Sequence, residues 1–138
     1  IGASLASPGN RILCITGDGS LMMNCQELAT LAELNLPVTI VVFNNGHLGM
    51  VRQQQELFFA GRFNACRHGI TPDFAALAGS FSIPSFSIPE GVDPKPVIRQ
   101  AMDTPGPVLV DIAISPDLGV FPMVPPGKSN GEMIMAAS

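Results

Sequence analysis

Two oxygen-bearing side chains stand directly after two short apolar runs of the chain. Asp18, in the motif GDGS, follows the run 11–16, and Asn45 follows the run 38–43. Short β-branched runs are typical of buried parallel strands, and the spacing of apolar residues between them predicts a helix over 24–35. Asp18 and Asn45 are therefore expected at the carboxyl ends of two strands, where open α/β sheets bind ligands.

The residue types at these two strand ends suit a magnesium-bridged diphosphate. Asp18 offers an anionic oxygen and Asn45 a neutral one, and Mg²⁺ uses one or two such groups, completing its octahedron with water and phosphate oxygens. Gly17 and Gly19 allow the backbone to approach a phosphate, and Ser20 adds a hydroxyl donor. The alternative is a tight strand-to-helix turn that merely requires glycine. The Asn-Asn pair after the second run favours the binding site.

Composition and charge limit the class of protein. The 138 residues suffice for one domain, and 46% hydrophobic against 13% charged residues is typical of a chain with a buried core. The net charge of −4, without a basic cluster, argues against a nucleic-acid partner. No apolar run reaches the roughly 18 residues that span a membrane, so no membrane partner is expected.

The cysteines indicate a reducing compartment. There are three, an odd number, and none forms a C-x-x-C motif. Cys14 falls in the first predicted strand and Cys25 in the predicted helix. We expect reduced, buried thiols in a cytoplasmic protein.

The order of the predicted elements indicates the fold class. A partial helix is followed by β, α, β, α, α, β, α, β and a tail, which predicts a three-layer α/β/α domain with a mainly parallel sheet. We expect this domain over residues 1–114 and a flexible, proline-rich C-terminal arm over 115–138. The chain opens at Ile1, without an initiator Met and within the end of a helix, so we expect a fragment truncated at the N-terminus that lacks an edge strand.

Local signals refine three of these segments. Asn24 and Glu27 have capping-box spacing at the start of the first long helix. A helix is predicted from about residue 49 to 59, followed by a polar loop over 61–69. His68 in that loop is interpreted as a surface residue because it has no partner at metal-ligand spacing.

GDGS, a helix and strand, and then Asn-Asn match the motif of the enzymes that depend on thiamine diphosphate (ThDP). Within that superfamily the chain resembles the catalytic, or large, subunit of acetolactate (acetohydroxyacid) synthase. The likeness covers almost the whole chain and rests on the stretches GDGSLMMNCQELATLAELNLPV, NNGHLGMVRQQQELFF, PGPVLVDIAI and VFPMVPPG. It implies the ThDP-binding domain of a three-domain enzyme whose FAD-binding domain and cofactor-activating glutamate are not in this chain.

The resemblance assigns site residues. It implies that Mg²⁺ binds Asp18, Asn45 and the main-chain carbonyl of His47, whose ring is alternatively a catalytic group. It implies that the cofactor contacts nine residues, and it points to no catalytic side chain. The nine are Gly17, Asp18, Gly19, Ser20, Asn45, His47, Leu48, Gly49 and Met50.

Gln54 departs from the family's common pattern. The resemblance places it in the substrate channel, where most members carry a Trp that favours 2-oxobutyrate and contacts sulfonylurea and imidazolinone inhibitors. With Gln54 in its place we expect a weaker preference for 2-oxobutyrate and resistance to those inhibitors, because a stacking surface is lost. The alternative is that 53–55 forms a solvated polar helix face.

For the whole enzyme, the resemblance implies condensation of two pyruvates, or of pyruvate with 2-oxobutyrate, to an acetohydroxy acid with loss of CO₂. This is the first common step of branched-chain amino-acid biosynthesis. It further implies a homo-oligomer, dimer or tetramer, and a regulatory small subunit. We expect the fragment alone to be inactive.

Three other interpretations stay open at the level of sequence. The chain is compatible with another ThDP enzyme, such as a pyruvate oxidase, a decarboxylase or a carboligase. It is compatible with a non-catalytic module that binds Mg²⁺ and a diphosphate, and with a structural α/β domain whose GDGS is only a turn.

Overall fold

A four-stranded parallel sheet forms the centre of the computed structural model, which describes residues 1–136. The strands run from Ile12–Gly17 (β1), Val38–Asn44 (β2), Ser85–Ile88 (β3) and Val108–Ala113 (β4). All neighbours are parallel, in the order β1-β2-β4-β3. Because every strand points the same way, the carboxyl ends of β1 and β2 lie side by side at one edge.

Within residues 1–136, six α-helices connect and flank these strands. Their bounds are Gly2–Ala6 (α1), Asp18–Met22 (α2), Glu27–Glu33 (α3), Gly49–Phe58 (α4), Phe74–Ser80 (α5) and Lys95–Asp103 (α6). A short 3₁₀ helix follows at Asn130–Glu132. No helix within residues 1–136 is long and apolar enough to cross a membrane.

The sheet separates two hydrophobic cores, which confirms the predicted three-layer α/β/α fold. On one face, α2, α3 and α5 pack around the fully buried Phe74, with Val42 and Leu109 from the sheet. On the other face, Ala101 of α6 packs with Val108 and Val110 of β4 and with Ile88 of β3, and Val41 of β2 joins this cluster. Successive residues of β4 thus enter opposite cores, as the two-residue period of a strand requires.

The first strand is exposed, contrary to the prediction of a buried one. Leu13 and Ile15 keep 47% and 62% of their surface, and Cys14 is also exposed. Among residues 1–136, strand β1 pairs with one strand, β2. Helix α6 lies on the same face of the sheet as Leu13, but it packs over β3 and β4 and leaves β1 uncovered. A β-branched run predicts a strand, but burial depends on what covers it.

The helix predicted over 24–35 is confirmed in part: it is the shorter α3, Glu27–Glu33, and a separate short helix precedes it. Helix α2 begins at Asp18 itself, and tight turns through 23–26 separate it from α3. Asn24 makes no capping-box contact, because its backbone carbonyl, not its side chain, accepts the Glu27 N–H. Cys25 consequently lies in a turn and is partly exposed.

The C-terminal segment 115–136 has little regular structure but makes specific contacts with α4. The buried Gln53 amide donates to the carbonyl of Val120 at 3.0 Å and accepts its N–H at 2.8 Å. Arg52 pairs with Asp117 at 2.6 Å. The division at residue 114 and the flexibility of the arm stay predictions, and the arm's last two residues lie outside the described part of the chain.

Candidate functional site

An open cleft of about 410 Å³ lies at the carboxyl edge of the sheet. It is bounded by the β1–α2 turn, by the β2–α4 connection and by the start of the C-terminal segment. All nine residues expected at the cofactor line this one cleft, together with Phe43, Val51, Ile114 and Val120. The structure therefore brings together residues that stand up to 33 positions apart in the sequence.

Asp18 is a buried carboxylate that receives backbone donors on both oxygens. Its surface is 4% exposed, Oδ1 accepts the Gly19 N–H and Oδ2 accepts the Gly46 N–H, each at 2.7 Å. Throughout residues 1–136 no Lys or Arg pairs with it. A buried charge without a cation is costly, so this carboxylate is suited to a metal ion entering from the cleft.

Asn45 and His47 line the same cleft as Asp18 and carry two further candidate oxygens. The Asn45 Oδ1 accepts the His47 N–H at 3.0 Å and retains a second lone pair. The His47 Nδ1 lies 2.8 Å from the Asn45 carbonyl oxygen, so the ring is held against its own loop. In the described residues no hydrogen bond reaches the carbonyl of His47. That free carbonyl fits a backbone ligand, and the metal assignment itself stays a prediction.

Two glycines make the close packing of this cleft possible. A Cβ on Gly19 would lie 2.8 Å from the Leu48 side chain, and one on Gly49 would lie 2.8 Å from the Asn45 Nδ2. Real Cβ atoms essentially never approach other heavy atoms so closely. The glycines thus keep the cleft walls near each other and leave the Asn45 amide in place.

Asp111 adds negative charge behind the site. Asn44 Nδ2 donates to its Oδ2 at 3.5 Å, and Asn44 Oδ1 in turn accepts the Gly46 N–H at 3.3 Å. Burial raises the pKa of Asp111 above its usual 3.8, opposed by the Asn44 hydrogen bond and reinforced by the charges of Asp73 and Asp18. The polar end of this sheet face is therefore anionic and favours a cation over a bare phosphate.

We predict that Asp111→Asn stabilises the fold at neutral pH. A raised folded-state pKa means that the charged form is disfavoured, so native stability is lost as pH rises above 3.8 through the folded pKa. Asn removes the charge and keeps an acceptor for Asn44. Denaturant melts should show the variant more stable than wild type at pH 7, with a difference that shrinks toward pH 4. An equal loss at both pH values would contradict this.

Metal-binding clusters of the usual kind do not occur in residues 1–136. No group of three or more His, Cys, Asp and Glu side chains converges there. The expected magnesium site does not depend on such a cluster, because one carboxylate, one amide and one carbonyl would supply its protein oxygens. Mg²⁺ commonly binds through so few protein groups when phosphates complete its shell.

The three glutamines of α4 have different environments. Gln53 is buried and hydrogen-bonds the C-terminal segment. The Gln55 side chain donates to the Asn64 carbonyl at 2.8 Å and accepts the Asn64 N–H at 2.9 Å. The alternative of a solvated polar face is therefore wrong for Gln53. Gln54 is exposed and lies one helical turn beyond Met50, outside the cleft lining. Its role in a substrate channel stays a prediction.

Sequence reasoning missed the contribution of the 61–69 loop. This loop forms an antiparallel bridge between Arg67 and His47, and it brings His68 Nε2 to 3.8 Å from Asp18 Oδ1. The His68 side chain is 24% exposed, so it is not the surface residue that was expected. Since this contact joins residues 50 positions apart, no local spacing signals it.

Comparisons with known proteins agree with the site. Residues 1–112 match the family described as "Thiamine pyrophosphate enzyme, C-terminal TPP binding domain", thiamine pyrophosphate being another name for ThDP. The chain is 44% identical to an acetolactate synthase large subunit of Pyropia yezoensis, covering 97% of this chain and 23% of that one. It is 41% identical to the acetolactate synthase isozyme 1 large subunit of Escherichia coli, covering 97% of this chain and 24% of that one. It is 45% identical to a probable acetolactate synthase large subunit of Methanococcus aeolicus, covering 99% of this chain and 22% of that one.

These relatives confirm the resemblance read from the motifs. The chain spans about a quarter of their length, so the likeness concerns one domain. The family match covers β1, β2, β3, all but the last residue of β4, and the entire GDGS and Asn-Asn region. The chain belongs to the thiamine pyrophosphate enzymes, as their C-terminal TPP-binding domain.

Proposed function

We propose that this chain anchors the diphosphate of ThDP through Mg²⁺ in an acetolactate synthase. The observation that carries the proposal is Asp18, a buried carboxylate at the cleft with no Lys or Arg partner in residues 1–136. Family membership supports ThDP as the ligand. The names of the relatives support the reaction.

Each residue of the cleft has a part in holding the anchor. Asp18, Asn45 and the carbonyl of His47 are the three proposed protein ligands of Mg²⁺, with diphosphate oxygens and water filling its other positions. Gly17, Gly19 and Gly49 leave room for the phosphates, while Ser20 offers a hydroxyl. The side chains of Leu48 and Met50 provide apolar surface along the wall of the cleft. Asp111, which accepts a hydrogen bond from Asn44, adds its negative charge to that of Asp18 and so favours a cation.

The cofactor supplies the chemistry that stabilises a carbanion after loss of CO₂, and the protein contributes position and a dry surface. The substrates proposed for the whole enzyme are pyruvate and, as second partner, pyruvate or 2-oxobutyrate. The product is an acetohydroxy acid for branched-chain amino-acid biosynthesis, which makes the enzyme a transferase. No side chain of the described residues is assigned a proton transfer.

Further features of the whole enzyme are proposed from the same resemblance. FAD binds in a domain outside this chain, the subunits form a dimer or tetramer, and a regulatory small subunit associates with them. A cytoplasmic location fits the three cysteines, none of which is in a disulfide. By itself the chain is proposed to bind without turnover, because it covers about a quarter of its relatives.

The reaction is tested by the product that a full-length enzyme containing this chain forms from pyruvate alone. Acetolactate, at one molecule per CO₂ released, is the expected product. Acetaldehyde or acetyl phosphate as the main product would instead assign the chain to a ThDP-dependent decarboxylase or oxidase. The ThDP anchor is common to all of these enzymes, so its own tests are separate.

We predict that Gln54 lowers the preference for 2-oxobutyrate. Its polar, exposed side chain offers no aromatic surface for the additional methyl group of that substrate. In the full-length enzyme, Gln54→Trp should increase the ratio of acetohydroxybutyrate to acetolactate roughly tenfold, the order of discrimination that one methylene allows. Competition between the two 2-oxo acids measures this ratio. A strong preference already present with Gln54 would contradict the prediction.

A further inference from the structure

The loop over 61–69 is joined to the backbone of the proposed metal site. His68 N–H donates to the Gly46 carbonyl at 2.9 Å, and Leu48 N–H donates to the Cys66 carbonyl at 2.7 Å. Cys66 is itself buried. Because hydrogen bonds fix the chain on both sides of the Arg67–His47 bridge, the position of His68 relative to the ligand loop is set by backbone geometry.

The His68 ring lies against the Asp18 carboxylate. Its Nε2 is 3.8 Å from Asp18 Oδ1, is shielded from solvent and has no hydrogen-bond partner in the described residues. The ring also packs 3.6 Å from the position that a Cβ on Gly19 would occupy. His68 is absent from the residues that line the cleft. The ring therefore faces the carboxylate and not the space for a ligand.

A short movement would give this nitrogen its partner. The gap to Oδ1 exceeds an N–H···O hydrogen bond by about 0.6 Å, a distance that a side-chain rotation covers. Asp18 already accepts the Gly19 and Gly46 N–H groups, one on each oxygen. An ionised carboxylate has about four acceptor positions, so a third donor, from His68 to Oδ1, leaves one position, on Oδ2, available for a metal.

We propose that His68 is a positioning residue for Asp18. Its Nε2–H donates to Oδ1 and fixes the plane of the carboxylate, so that the remaining lone pair points into the cleft. The inference rests on the proposed function, because the consequence of a fixed carboxylate is tighter binding of Mg²⁺ with ThDP. Partners that orient a metal ligand in this way commonly change metal affinity by 10- to 100-fold.

Calorimetric titration of the chain with MgCl₂ at saturating ThDP tests this role. His68→Leu should weaken Mg²⁺ binding roughly tenfold. His68→Gln should restore it to within about threefold, because the Gln Nε2 donor reaches the position of the His Nε2. Ile70→Ala, directly after this loop and 88% exposed, is the matched control and should bind as wild type. Affinity of His68→Leu equal to that of wild type would overturn the inference.

A second measurement separates this inference from the proposed function. Nitrogen-15 NMR of the ligand-free chain should show His68 as the Nε2–H tautomer, with a ring signal that shifts in Asp18→Asn. An Nδ1–H tautomer, or no shift, would overturn the contact whether or not ThDP binds. Loss of Mg²⁺ binding in Asp18→Asn with wild-type binding in His68→Leu would leave the proposed function standing and remove His68 from it.

Discussion

Asp18→Asn is expected to abolish the effect of Mg²⁺ on ThDP binding. With Mg²⁺ present, the affinity of the variant should fall at least about 100-fold, which corresponds to about 2.7 kcal/mol. The reason is that Asp18 is the one anionic ligand proposed for the metal, buried to 4% exposure at the cleft. An amide retains the shape but not the charge that holds the cation. Calorimetric titration with ThDP, with and without MgCl₂, measures the change.

The effect of Asp18→Asn on the affinity for ThDP should change sign when Mg²⁺ is removed. Two like unit charges about 4 Å apart repel by about 4 kcal/mol at an effective dielectric constant of about 20. A carboxylate facing a bare diphosphate is therefore unfavourable, and Asp111 lies behind it as a second source of negative charge. In EDTA, Asp18→Asn should bind ThDP at least as well as wild type. Unfolding of the variant would weaken ThDP binding in both solutions, so it cannot produce this reversal.

The control for Asp18→Asn is the same substitution at Asp103. That residue is exposed at the end of α6 and belongs to no part of the cleft, so Asp103→Asn should titrate as wild type. Thermal melts accompany both variants, because Asn at position 18 accepts only one of the two backbone N–H groups. If a folded Asp18→Asn variant kept its Mg²⁺-dependent affinity, the metal assignment would be wrong.

Gly49→Ala is expected to weaken Mg²⁺-dependent ThDP binding at least about tenfold without unfolding the chain. The new Cβ would lie 2.8 Å from Asn45 Nδ2, so the amide must rotate away and its oxygen leaves the metal position. Misplacing a metal ligand costs on the order of 10- to 100-fold in affinity. The backbone at Gly49 has an ordinary helical conformation, and Ala is the better helix former. Stability should therefore change by less than about 1 kcal/mol.

Gly79→Ala is the matched control for Gly49→Ala. It places the same methyl group in another helix, α5, where nothing lies within 4 Å of the new Cβ. This variant should be as stable as wild type or slightly more so, with unchanged ThDP affinity. If Gly49→Ala bound ThDP and Mg²⁺ as tightly as Gly79→Ala does, the proposal that Asn45 is a metal ligand would be contradicted.

The sequence allowed the sheet edge and its ligands to be predicted because those signals are local. The apolar β-branched run 38–43 is followed by the pair Asn44-Asn45, and the structure has Val38–Asn44 as a largely buried strand leading into the cleft. The GDGS motif similarly follows its strand without a gap. A parallel sheet then brings both strand ends to one edge, so the nine predicted residues meet there.

What could not be predicted depends on contacts between distant segments. Ile15 looks like a core residue, yet its exposure is decided by where α6 packs. Gln53 looks like a surface residue, yet its amide is buried against Val120, 67 positions away. His68 meets Asp18 only because a backbone bridge folds the 61–69 loop over the β2–α4 connection. None of these environments is indicated by a periodic pattern or a motif in the sequence.

The most direct test of the central claim is a titration of the wild-type chain with ThDP in the presence of MgCl₂ and again in EDTA. If Asp18, Asn45 and the His47 carbonyl hold the diphosphate through a metal, the affinity with Mg²⁺ should exceed that in EDTA by at least about 100-fold, since the cation replaces a repulsion with an attraction. Binding of equal affinity in both solutions would contradict the claim that a metal bridges this cleft to the diphosphate.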